Sequence, residues 1–227
     1  MATAGLVHDI IDISLPITSA MPIWPGDPRP ELKVVSTLAM EGIQVSQLTL
    51  GTHTGTHLDA PRHFIPGGRT IDLLDLSALV GLCQVIEVVR AEGHIAPADL
   101  QGFELHPGDR VLLKTRNSHQ PARQIFADDF AALQTSAADY LCEQGVALVG
   151  IDGPSIDAGS ASDFPCHKRL LGADTLVVEN LVLRGVIPGI YGLIAVPLNL
   201  IGADGCPIRA LLTRSEFFHP SPTCTRR

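Results

Sequence analysis

Apolar and polar positions along the chain alternate far more often with the period of a strand than with that of a helix. Residues 9–17 alternate partly and are rich in Ile, which predicts a first strand ending at Pro16. Two more are predicted over 31–36 and 44–50, the second keeping one face roughly apolar through Val45, Leu48 and Leu50. Residues 83–89 form a nearly continuous apolar run of the kind buried on both faces of a sheet. Further strands are expected over 110–114, launched by the Pro107-Gly-Asp109 turn, and over 146–151, 175–178, 190–196 and 208–213. Helices are few. The clearest spans 136–144, where Ser136 and Asp139 suit a capping box and Gly145 suits the stop. Shorter helical pieces are expected over 126–132 and 167–171, and 71–76 reads as a short strand or a turn of helix. Residues 21–30 hold too many prolines for helix or central strand, since each fixes φ and removes a backbone donor. They predict a rigid loop, with Trp24, the only tryptophan, in its middle. That ring either plugs the edge of the core or forms an aromatic wall for a flat substrate.

Residues 185–203 carry no charge over nearly the length of a membrane span. Pro188, Gly189, Gly192, Pro197 and Asn199 would break a spanning helix, so two buried strands joined by a bend are expected instead, with no membrane association. No internal repeat or low-complexity linker divides the 227 residues, which predict one domain over 1–227 with a loose tail over 219–227.

Composition narrows the function classes. Hydrophobic residues make up 45% and charged ones 18%, which supplies a generous core. A net charge of −8 with no basic run argues against a partner that tracks nucleic-acid phosphates. Five scattered cysteines without a Cys-x-x-Cys pair read as reduced thiols, and His8, Asp9 and Asp12 interrupt what might have served as a signal-peptide core; a cytoplasmic protein is expected.

The candidate chemistry lies in residues 53–63, His-Thr-Gly-Thr-His-Leu-Asp-Ala-Pro-Arg-His. Gly55, Pro61 and the threonines disfavour a helix. In an extended chain, residues two apart share a face, so His53, His57, Asp59 and His63 would point one way. A straight strand would still hold His53 and His57 about 13 Å apart, so bends at Gly55 and Pro61 are expected to draw them together. Surface or hydrogen-bonded core histidines are the alternative; four polar groups in phase favour a metal. Two imidazoles and a carboxylate suit a divalent ion of borderline softness, zinc or manganese, with a position left for water.

The run Gly-Thr-His-Thr-Gly-Thr-His-Leu-Asp-Ala-Pro-Arg-His-Phe at 51–64 resembles the signature of the cyclase-like metal-dependent hydrolases, whose members include bacterial kynurenine formamidases. The resemblance extends, in order, to Trp24-Pro-Gly-Asp27, Leu112-Leu-Lys-Thr115, the 148–155 run ending Asp-Gly-Pro-Ser155, His167, Glu179-Asn180 and Ala203-Asp-Gly-Cys-Pro-Ile-Arg209. It implies a single α/β domain with a mixed, barrel-like β core and few helices, assembled into dimers or tetramers. It further implies two divalent ions per subunit, one on His53, His57 and Asp59, the other on Asp59 and His167, with Glu179 reaching both. His63 would be the general acid and base, and Trp24 would contact the substrate. The implied activity is hydrolysis of a small-molecule amide, with N-formylkynurenine giving kynurenine and formate. Ring opening of a cyclic amide such as isatin, or a non-catalytic binding relative of the same fold, are the alternatives. Read apart from the family, His167 and Glu179 are twelve residues apart and ordinary, so their assignment rests on the resemblance; the apolar run Thr175-Leu-Val-Val-Glu-Asn-Leu181, where a lone charge would be costly, is consistent with a metal partner for Glu179.

Overall fold

A computed structural model describes residues 10–90, 92–120 and 130–218. Its strands are β1 (Ile10–Asp12), β2 (Glu31–Ser36), β3 (Val45–Thr49), β4 (His57–Asp59), β5 (Val80–Glu87), β6 (Arg110–Lys114), β7 (Leu148–Ile151), β8 (Leu176–Glu179), β9 (Gly189–Ile194), β10 (Gly205–Pro207) and β11 (Leu211–Thr213). The described helices are α1 (Leu38–Glu41), α2 (Thr135–Glu143) and α3 (Pro165–Gly172). Nine strands form one mixed sheet in the order β1-β11-β9-β5-β6-β7-β8-β4-β10, and β2 and β3 form a separate antiparallel ribbon.

The centre of the sheet is the parallel block β5 to β8. Its strands are short apolar runs because both faces are covered. Side chains alternate between two cores. Cys83, Val85, Leu112, Leu148, Leu176 and Val178 face one apolar cluster. Ile86, Val111, Leu113, Val149, Ile151 and Val177 face the other, which α2 and α3 close with Ala137, Ala138, Leu141, Leu170 and Leu171. Antiparallel strands extend the block on both sides, and the sheet curls into a half-barrel. The Ile13 N–H donates to the Ala210 carbonyl at 3.0 Å, and the Val182 N–H to the Ile13 carbonyl at 2.9 Å. The chain after β1 is thereby tied to the chain after β8, making the expected barrel-like core.

Several expectations need correction. The first strand is shorter than predicted, with Ser14 forming only an isolated bridge to Leu181. Residues 71–76, by contrast, take the helical one of their two expected forms, as 3-10 turns over Ile71–Leu73 and from the start of Leu76–Ala78. The long helix begins at Thr135 with Gln134 as its N-cap and no side-chain cap. Asp139 pairs with Arg169 of α3 at 2.5 Å instead. The uncharged run at 185–203 supplies one strand, β9, followed by irregular chain in which Leu198 and Ile201 stand exposed. Neither face of the β2–β3 ribbon is buried, so its apolar side chains are exposed. Residues 126–129 of the expected helical piece and the 219–227 tail lie outside the described residues, and Phe130 to Ala132 are not helical. No described helix is long and apolar enough to cross a membrane.

Candidate metal centre

The ligand stretch is extended for only three residues. In β4, His57 and Asp59 point to the helix side of the sheet while Leu58 between them enters the opposite core. β4 runs antiparallel to β8 with His57 opposite Glu179 and Asp59 opposite Val177. That register puts three ligand candidates on one face. His167 reaches the same face from α3, whose first turn is held by Asp157: its carboxylate accepts the Cys166 and His167 backbone N–H groups at 2.8 and 3.0 Å.

The ends of the stretch fold back, as the bends at Gly55 and Pro61 predicted. Gly55 takes φ +67°, and Pro61 opens the 3-10 turn Pro61–His63. His53 and His63 meet as stacked rings with centroids 3.8 Å apart. Donor atoms of His53, His57 and Asp59 lie within 4.8 Å of one another, as do those of Asp59, His167 and Glu179, and those of His53, His63 and Asp204. All six predicted polar site residues are brought together, but the common face is reached by turns at both ends and not by one long strand.

Hydrogen bonding fixes which nitrogens are free. His57 Nδ1 stands 2.8 Å from the Gly55 carbonyl, and His167 Nδ1 stands 2.7 Å from Asp157 Oδ2; both partners only accept, so both Nδ1 atoms carry protons. In each neutral ring the lone pair is then on Nε2. His57 Nε2 is 3.4 Å from both Asp59 Oδ1 and Glu179 Oε2. His167 Nε2 is 3.0 Å from Glu179 Oε1 and 3.3 Å from Asp59 Oδ2. Lone pairs facing carboxylate oxygens repel unless a proton or a cation stands between them. Asp59 sharpens the point, being 0% exposed with an Oδ2 that has no hydrogen-bond partner. Such an orphaned oxygen is costly in an apolar interior.

The charges agree. Burial disfavours the charged forms of His57 and His167, yet the Asp59 and Glu179 carboxylates hold both above the ordinary histidine value, His167 well above it. Burial would raise Asp59, but the surrounding imidazoles hold it well below the usual carboxylate range. The cluster therefore calls for positive charge, and its imidazole and carboxylate donors fit a divalent metal.

His63 differs from its neighbours. Burial lowers it, helped by the His53 and His167 rings and opposed by the Asp59 and Asp204 carboxylates, leaving it at about 4 and therefore neutral near pH 7. Opposite it is Asp204, whose Oδ2 lies 3.1 Å from His53 Nε2 and 3.6 Å from His63 Nδ1. His53 is thus held between two carboxylates, with Asp59 Oδ1 2.8 Å from its Nδ1. Burial works against protonation here too, but the two carboxylates raise it to about 9. These groups open into a cavity of about 260 Å³ whose wall includes Trp24, His63, Phe64, Ser155, Phe164 and Asn180. Trp24 is half-buried and meets Phe130 edge-on at 6.4 Å, so its ring faces the cavity while its rim seals against the core. Sequence reasoning gave no role to Asp157 or Asp204. A carboxylate ten residues before a ligand histidine, and the Asp in the Ala203-Asp-Gly-Cys-Pro motif, were the available signals.

The model of the family described as "Putative cyclase" matches residues 11–158. A kynurenine formamidase of Bacillus mycoides (strain KBAB4) is 38% identical over 203 residues, covering 89% of this chain and 96% of that protein, and one of Bacillus anthracis matches to the same extent. A solved structure described as a potential metal-dependent hydrolase with cyclase activity aligns with TM-score 0.79 at 34% identity, over 89% of this chain and 96% of its own. An isatin hydrolase from Labrenzia aggregata shares the fold, with TM-score 0.80 at 24% identity over 91% and 93% of the two chains.

Proposed function

The chain belongs to the cyclase family, and from that premise we propose that it is a metal-dependent amidohydrolase cleaving an aryl formamide such as N-formylkynurenine to kynurenine and formate. The observation that carries this reading is the fully buried Asp59, whose two oxygens face two separate donor groups, one of them orphaned. His53, His57 and Asp59 would hold one ion, and Asp59 and His167 a second, with Glu179 reaching both; zinc and manganese both suit the set. When bound, such ions supply a water of lowered pKa and polarise the amide carbonyl.

The remaining work falls to the chain. His63, neutral and at the cavity wall, takes the proton released by the attacking water and passes it to the leaving nitrogen. Asp157 orients His167 through Nδ1, which keeps Nε2 directed at the centre. Trp24, Phe64 and Phe164 give the cavity flat apolar walls that suit an aryl group. The described cysteines are all free, which supports a reducing, cytoplasmic setting. Dimers or tetramers remain the expected assembly, checked by sedimentation.

The test is a hydrolysis assay comparing N-formylkynurenine with isatin on protein of defined metal content. Faster turnover of the formamide is expected. The isatin hydrolases share only the fold at their identity, so preferential ring opening would move the assignment to that alternative. Protein that takes up no divalent metal would instead indicate a non-catalytic relative.

A further inference from the structure

Asn180 follows Glu179 at the end of β8 and breaks the strand's alternation. Leu176 and Val178 enter one core while Val177 faces the other, and Glu179 falls on the Val177 side with the metal-facing groups. Residue 180 should by parity return to the Leu176 side. It instead lines the same cavity as Glu179, because its backbone is left-handed with φ 57°. That conformation is over-determined. The Asn180 N–H donates to the Gly153 carbonyl at 2.8 Å, its carbonyl accepts from Thr56 Oγ1 at 2.6 Å, and the next N–H donates to the Ile151 carbonyl at 3.0 Å.

The backbone's hydrogen bonds are therefore made, while among the described residues the side-chain carboxamide has no partner. Asn180 is 8% exposed and lines the cavity. Its donors and acceptor are left to groups that enter the cavity. Asn is among the few residues with a side chain that tolerate this backbone region, so conformation alone could account for it. Glycine would satisfy the backbone more cheaply, yet it would bring no amide.

We propose that Asn180 is a substrate-contacting residue whose Nδ2–H donates a hydrogen bond to the acyl oxygen of the amide being cleaved. The inference rests on the hydrolase reading above and extends it to the polar group that recognises the acyl end. A donor held at the cavity wall by a rigid backbone needs no reorganisation when charge builds on that oxygen.

The decisive variant is Asn180→Gly, which keeps the left-handed backbone and removes only the carboxamide. Expected results are a fall in kcat of about 10²-fold, unchanged metal content and a melting temperature equal to or above wild type. Quenching of Trp24 fluorescence by a non-hydrolysable aryl amide should need higher ligand concentrations. Asn180→Asp, which also tolerates the backbone but offers no donor at neutral pH, should lose as much. Wild-type kcat and KM in Asn180→Gly would show that only the backbone matters and overturn the inference. So would activity retained in Asn180→Asp, or a loss that tracks departure of metal. Wild-type protein inactive on every amide would overturn the hydrolase reading and this inference together, whereas an active wild type matched by Asn180→Gly overturns the inference alone.

Discussion

Replacing Gly205 with Ala tests the placement of His53 without touching a ligand. Gly205 is paired with Asp59 across β10 and β4, and it is not among the glycines with positive φ, so alanine can adopt its backbone. A Cβ there would stand 2.5 Å from His53 Cε1, 2.9 Å from Nε2 and 3.0 Å from Nδ1. Ordinary contact begins at 3.4 Å, so something must retreat by about 1 Å. The strand is poorly placed to move, because its ladder to β4 is continued by the Ala60 N–H donating to the Asp204 carbonyl at 2.9 Å. The imidazole must give way. Metal–ligand distances tolerate about 0.2 Å, so a shift of this size predicts roughly 10- to 100-fold weaker binding at the His53 group and about 10²-fold lower kcat. The Asp59, His167 and Glu179 group does not use His53 and should keep its ion. Chelator competition with elemental analysis reads the first effect, steady-state hydrolysis the second, and a near-wild-type melting temperature shows that the fold survives. Full metal content, unchanged affinity and unchanged turnover in G205A would refute the placement of His53.

His63→Ala should lower turnover by about 10²- to 10⁴-fold with metal retained; loss of metal on elemental analysis would make His63 a ligand instead. Asp157→Ala removes the partner of His167 Nδ1 and the acceptor for the first turn of α3, so chelator competition should show metal held about 10- to 100-fold more weakly. In metal-free protein, His53 is raised from 6.5 to about 9, so its contribution to stability is full below 6.5 and is lost as pH rises through about 9. His63 is lowered from 6.5 to about 4, so its contribution is full above 6.5 and is lost as pH falls toward about 4. Melting temperatures of metal-stripped protein should therefore peak near pH 6.5, and a profile still rising from 6.5 to 9 would contradict the charge assignment of His53.

Legibility in the sequence followed how local each signal was. β2 and β6 were read to the residue, because each is a β-rich segment bounded by Pro or Gly turn chemistry. Residues 185–203 misled because an uncharged run was equated with burial, and exposed Leu198 and Ile201 show that composition does not decide which side of the surface a chain runs on. The Ser136 and Asp139 capping pattern failed because the helix starts at Thr135, which puts Ser136 inside its first turn, while Asp139 pairs with Arg169, a contact that exists only once the two helices pack. At the centre, His57 and Asp59 were legible from parity alone. Asp204 was not, since 151 residues separate it from His53 and only the β4–β10 pairing brings it there.

The apolar residues between the ligands specify the centre as firmly as the ligands do. Leu58 lies directly across from Val178, and both are sealed in the core on the far side of the sheet. A one-residue slip of β4 would exchange the two faces, sending Leu58 to the centre and Asp59 into apolar packing. Burying that carboxylate without partners would cost several kcal/mol, so the slipped register is closed to the folded chain. Pairing of His57 with Glu179 therefore follows from the hydrophobic pattern before any cation binds. The centre is preorganised by the same alternation that makes the strand, and metal binding then relieves the repulsion among groups that the core has already forced together.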